Sequence, residues 1–240
     1  MQHSFLDKYS TLDSPVHRRD PRAKIIAFLA ALLLMVSEPR GETKAFLFYY
    51  LLIVMIVIVS RVPIRYVLKR CVIVSPFVVL AAGLMLVSGS DAGDIVSISL
   101  SIILKAFAAV ILLTLLTSTE KFHRLIEGMR SLKLPSLLGV LSSFVYRYMF
   151  ILSDEMMRTR RARMSRTPGR LLTGRFRTYG NQAATVFLRS WERSQVVYDA
   201  MCSRGFNGTF PLRKALDFTW SDSIFLSTFT LFFAAVRLLA

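Results

Sequence analysis

Residues 156–206 of this chain cannot sit in a bilayer, yet the sequence on both sides of them is strongly apolar. The stretch begins MMRTRRARMSRTPGRLLTGRFR and ends YDAMCSRGF. A cationic unit held between such segments must face water while its neighbours sit in lipid. The whole chain is 54% hydrophobic with a mean hydropathy of +0.50, unusually apolar for a soluble domain. Residues 118–220 hold 18 Lys and Arg against 7 Asp and Glu, a net of +11 out of the total +16. A basic excess can serve nucleic acid, anionic lipid or the positive-inside bias of a membrane protein. With this hydropathy it indicates a membrane protein. Cys71 and Cys202 both fall in or near the cytoplasm on this reading, where a structural disulfide is not expected.

The leader, 1–24, is polar and contains SPVHRRDPRAK; Pro15 and Pro21 are expected to break any helix there. It does not read as a cleavable signal peptide, because the first apolar run starts only at Ile25. That run, 25–36, is short, but with Ala23 and a snorkelling Lys24 it can make a tilted or partly buried span. Further spans are expected at 45–60, at 71–88 with Pro76 as a kink, at 95–117 and at 224–239. The leader carries +2, and the next three loops carry 0 (SEPRGETK), +4 (RVPIRYVLKR) and −2 (GSDAGD). This alternation puts the N-terminus and everything from Ser118 to the last span inside. The expected fold is an all-α polytopic membrane protein with five spans. Its regions are 1–117 (leader and four spans), 118–220 (a cytoplasmic segment) and 221–240 (the final span).

Three amphipathic helices are expected within the cytoplasmic segment. The first, 120–132, is stopped by Pro135. Ser136 can cap the second, which runs to about Arg166 with Val145, Met149, Leu152 and Met156 on one stripe. Thr167-Pro168-Gly169 ends it. The third runs from about Arg175 to Cys202, with Phe187, Trp191, Ser194, Tyr198 and Met201 at helical spacing and Gly205 as its C-terminal cap. Residues 137–152 are apolar enough for a sixth span. Arg147 lies among them, and a crossing there would put the basic segment outside, so a membrane-surface or bundle-buried helix is favoured.

Enzymatic signatures are weak. Gly169 and Gly174 have the spacing of a P-loop, but Arg175-Phe176 stands where Lys and Ser or Thr are needed; a plain interhelical loop is expected. His3, His17 and His123 are scattered, and no His, Cys or carboxylate set has metal-ligand spacing. The methionines read as packing groups. Lys105 lies deep in the fourth span, where an ionisable residue either marks a pathway or pairs with a carbonyl or carboxylate inside the bundle. Two basic tripeptides are more specific in combination: Ala162-Arg163-Met164 and Ser203-Arg204-Gly205, each at the end of an amphipathic helix. Arginine offers a planar fork of directional donors and is enriched at binding hot spots; Gly205 lets a backbone come close. Contact with lipid headgroups is the plainer alternative.

The segments SPVHRRDPRAK, YRYMFILSDEMMRTRRARM and LRSWERSQVVYDAMCSRGF together resemble the transmembrane T component of energy-coupling-factor transporters, in particular the CbiQ type of cobalt transporters. The family's two cytoplasmic Ala-Arg-Gly motifs fall on Ala162-Arg163-Met164 and Ser203-Arg204-Gly205. Met164 and Ser203 depart from that consensus, so only the arginine is common to both. The resemblance implies a non-catalytic subunit of the bacterial inner membrane that couples ATP hydrolysis to cobalt uptake. It would hold no cofactor, since ATP and Mg belong to the partners. Those partners would be two CbiO-like ABC ATPases, a CbiM-like substrate-binding membrane subunit, a small CbiN-like accessory subunit and membrane lipid, with no nucleic acid. Long coupling helices would rest in grooves on the ATPases, one motif arginine on each. Rival readings are a T component for nickel or a vitamin, a membrane-embedded enzyme such as a lipid-modifying transferase, and a membrane-anchored nucleic-acid binder. The enzyme would need clustered acidic or His residues, and Asp154-Glu155, the one adjacent acidic pair in the cytoplasmic unit, reads as helix surface.

Overall fold

The computed structural model describes residues 10, 12, 14–39, 44–87, 92–166, 175–208 and 218–239. Its elements are α1 (Pro21–Val36), α2 (Lys44–Ser60), α3 (Ile64–Val87), α4 (Ala92–Thr119), α5 (Phe122–Ser131), α6 (Ser136–Arg166), α7 (Arg175–Cys202) and α8 (Trp220–Leu239); the described residues contain no strand. The Thr167–Gly169 turn, the 169–174 loop with Arg170, parts of the SEPRGETK and GSDAGD loops, and His3 lie outside the described residues. Two compact units result: Met1–Leu132 with Lys214–Ala240, and Lys133–Arg213.

In the first unit the helix starts correct the sequence reading. Pro21 opens α1 instead of breaking it. At the first helical position its missing N–H is one the helix leaves unpaired anyway, and Asp20 caps the end by accepting from the Arg22 N–H at 2.8 Å. The RVPIRYVLKR loop is mostly helix: only Arg61, Val62 and Pro63 stand outside, Arg61 with a left-handed φ of 55°, and α3 runs unbroken through Pro76. Proline removes the N–H that Val72 O would accept. Ser75 Oγ donates to that same carbonyl at 2.9 Å.

α1 and α8 run side by side in the same direction. At their starts Asp222 Oδ1 accepts from the Asp20 N–H at 3.1 Å and Oδ2 from the Thr219 N–H at 3.0 Å. Midway, Phe28 meets Phe229 with ring centroids 5.2 Å apart; further on, Phe233 stacks on Phe229 at 5.2 Å and on Tyr49 of α2 at 5.8 Å. These rings and the buried faces of α2 and α4 make the core. α4 runs against α1 and pairs with α3. α5 packs on α1: a Cβ on Gly128 would stand 3.2 Å from Pro21 Cβ and from Ile25 Cδ1. Thus α5, grouped with the cytoplasmic segment in the sequence, belongs to the first unit.

Two lysines join α4 to α1. Lys24 does not snorkel. It is fully buried, ion-paired with Glu120, and donates to His17 O at 3.0 Å and Thr119 O at 3.2 Å. Arg124 takes the second oxygen of Glu120 at 3.2 Å. Lys105 takes the carbonyl-paired role: its Nζ donates to Val36 O at 3.0 Å and Glu38 O at 2.7 Å, closing the C-terminal end of α1.

Among the described residues three helical stretches are long and apolar enough to cross a membrane, Ile64–Leu84, Val96–Thr119 and Leu137–Ser165; Ala45–Ser60 is a shorter apolar helix. By length and composition, then, α6 qualifies as well, although its second half is strongly basic.

In the second unit α6 and α7 are antiparallel. Pro135, not Ser136, takes the cap position of α6, its carbonyl accepting from the N–H groups of Leu138 and Gly139 at 3.0 and 3.4 Å; Ser136 is the first helical residue. Across the pair, Gln182 Nε2 donates to Met156 O at 3.2 Å and Arg189 pairs with Glu155. The apolar stripes do not seal this contact. Val145 is 64% exposed, and Phe187, Trp191 and Tyr198 are each more than half exposed.

Candidate partner-binding site

The two tripeptides occupy different local structures. Ala162, Arg163 and Met164 lie in the last turns of α6, with Ala162 and Met164 exposed and Arg163 half-buried. The Arg163 guanidinium lies over the Tyr179 ring of α7, 4.9 Å from its centroid, a cation–π contact. Its Nε is buried without a hydrogen-bond partner, as is Gln182 Oε1 one turn along α7. Both side chains line a groove of about 750 Å³ between the helices, together with Arg158, Thr159, Ala162 and Asn181.

Ser203, Arg204 and Gly205 form the turn that closes α7. The Phe206 N–H bonds Met201 O at 3.0 Å and the Gly205 N–H bonds Cys202 O at 2.9 Å. This six-to-one and five-to-two pair is a Schellman cap. Gly205 stands at its left-handed position with φ of 81°, where a side chain is disfavoured by the backbone. Nothing else crowds the site, since an added Cβ would meet no atom within 4 Å. The cap leaves Arg204 exposed at the helix end, while Ser203 Oγ donates back to Asp199 O at 2.9 Å. A cation at this end also suits the helix dipole. On the preceding turn, a hydrogen bond to Cys202 pushes the Tyr198 phenol above its ordinary pKa.

The antiparallel pairing therefore separates the two arginines. Arg163 is level with Tyr179, and Tyr179 and Arg204 are 25 positions apart, about 37 Å of helix at about 1.5 Å per residue. Among the described residues no group of three or more His, Cys, Asp or Glu could hold a metal ion. Sequence reasoning did not single out Tyr179 or Gln182. The available signal was the short connector between α6 and α7, which sets residues just before it beside residues just after it.

A family model described as cobalt transport protein, CbiQ, matches residues 13–215. The chain belongs to the CbiQ family. Energy-coupling factor transporter transmembrane proteins EcfT of Bacillus selenitireducens and Heliobacterium modesticaldum are each 27% identical to it. The first match covers 96% of this chain and 95% of the relative, the second 87% of each. An uncharacterized protein of Methanocaldococcus jannaschii is 31% identical over 88 residues, 37% of this chain and 33% of that protein. This CbiQ-family chain is thus a transmembrane transport protein, and both tripeptides lie inside the matched region.

Proposed function

We propose that this chain is the energy-coupling subunit of an ECF-type importer for cobalt ions, with Arg163 and Arg204 as its anchors on two ABC ATPases. It catalyses nothing itself: ATP and Mg bind the ATPases, and a substrate-binding membrane subunit selects the cargo. Five spans, at α1, α2, α3, α4 and α8, leave the N-terminus and the α6–α7 pair on the cytoplasmic side of the inner membrane. The observation that carries this proposal is the pair of arginines about 37 Å apart on one antiparallel helix pair, each on a distinct local support. Two separated anchors suit two partner subunits better than one. The exposed apolar stripes of α6 and α7 add a surface fit for lipid or for the substrate-binding subunit. The cobalt assignment rests on the family description.

The test is an affinity pull-down of the ATPases with this chain in mild detergent. Truncating an arginine at a hot spot costs about 2 kcal/mol, roughly 30-fold in affinity. Glutamate should do worse, by placing an unpaired charge of the wrong sign in a desolvated groove. Arg163→Glu and Arg204→Glu should each weaken retention by that factor or more and cut metal uptake. The double variant should release the ATPases, since linked contacts multiply. Arg170→Glu and Arg175→Glu, charge-matched changes in and beside the connecting loop, should have little effect. Equal losses at all four positions would assign the arginines to lipid headgroups instead.

A further inference from the structure

We infer that Tyr179 is the positioning residue for Arg163: it seats the guanidinium so that the anchor meets the partner already oriented. This inference rests on the anchoring role proposed above and adds a residue to it.

A guanidinium uses its faces and its edges for different contacts. Its flat face stacks on an aromatic ring, while its five N–H donors lie in the plane and point away from the ring. Stacking on Tyr179 therefore occupies a face of Arg163 and leaves the terminal donors of its edge available. A free arginine side chain would lose much rotamer freedom on docking. A chain already held on a ring has lost part of that freedom in advance, and pre-organisation of this kind strengthens binding.

A second observation marks the groove as an unfinished surface. Arg163 Nε is a buried donor without an acceptor, and Gln182 Oε1 is a buried acceptor without a donor. Gln182 is only 7% exposed, and its amide nitrogen is already committed to Met156. Buried polar atoms without partners are uncommon in a finished structure, and here two of opposite sense, one of them on the motif arginine itself, belong to residues of one groove. Tyr179 itself is 55% exposed. It contributes little to a core, and a ring kept at the surface beside an arginine is suited to holding that arginine.

The experiment uses the full chain co-purified with its ATPases, and reads the affinity of the ATPases for Tyr179→Ala, Tyr179→Phe, Arg163→Ala and the double Arg163→Ala/Tyr179→Ala. Thermal unfolding of each purified subunit serves as the folding control. Tyr179→Ala should weaken the ATPases by about three- to thirty-fold, the range of a cation–π contact, with unchanged unfolding. Tyr179→Phe, which keeps the ring, should restore most of the affinity. In the Arg163→Ala background the alanine at 179 should add nothing. Full additivity of the two changes, or loss with Tyr179→Phe as large as with Tyr179→Ala, would overturn the seat. If Arg163→Ala weakens binding and Tyr179→Ala does not, the seat alone falls. If Arg163→Ala itself leaves binding unchanged, the anchoring role falls, and the seat with it.

Discussion

Lys24 carries a charge with no route to water. It is 0% exposed, and Glu120 beside it is 3% exposed. Such a pair adds little net stability compared with apolar residues, but removing Lys24 leaves one oxygen of the buried Glu120 carboxylate without its lysine while Arg124 still holds the other, a loss at the lower end of the about 3–5 kcal/mol that breaking a buried pair costs. Lys24→Met should therefore lower the unfolding midpoint in detergent sharply. Lys24→Met with Glu120→Met should recover at least half of the loss, although His17 O and Thr119 O then lack their donor. In the sequence, Lys24 looked like a snorkelling residue because it stands at the edge of an apolar run. Nothing local shows that Glu120, 96 positions later, comes back to meet it. Arg163 was legible as a motif residue, whereas its ring partner needed the hairpin geometry. Arg204 was legible together with its cap, because a glycine after an amphipathic run signals its own left-handed turn.

Among the elements, α3 shows how a proline is carried through a helix in lipid. Where no water is present, a freed carbonyl must find another donor. Ser75 supplies it to Val72 O at 2.9 Å. Ser75→Ala should cost about 1 kcal/mol, measured as reversible unfolding in detergent. With Pro76→Ala the backbone N–H returns to that carbonyl, so adding Ser75→Ala to that variant should cost little. Apolar runs and amphipathic spacing together make each of the eight described helices legible in the sequence, since long periodic segments are the strongest signal a sequence carries. The starts of α1 and α3 differ from the sequence expectation for one reason. Proline and basic residues read as breakers in a sequence, but a helix tolerates proline at its first position, and charged residues can occupy the first turns of a span near the interface. The stripe on α7 was found correctly as a pattern, yet it faces outward: periodicity identifies an apolar face without naming what covers it.

For the whole molecule, the alternation of loop charge predicts which loops face out. After Cys71 and Cys202 are replaced, a membrane-impermeant thiol reagent applied from outside should label single cysteines placed at 40–42 and 90–93. It should not label those at 167–173. External labelling of 167–173 would make α6 a true span and reverse the side on which α7 lies. The two-unit division has a mechanical consequence as well. An α-helix cannot shorten along its axis without breaking its own hydrogen bonds, so α7 acts as a rod of fixed length between the two motif arginines. A rod pinned to two bodies that draw together must swing. If the separation of the two bodies along the rod's original direction falls by one helical pitch, about 5.4 Å, a rod of about 37 Å turns through about 30°. Closure of the ATPases would then reach the rest of the importer as a rotation, with an angle set by the number of residues between Tyr179 and Arg204. On the proposed anchoring, inserting or deleting a turn there would change the gearing while leaving both arginines in place.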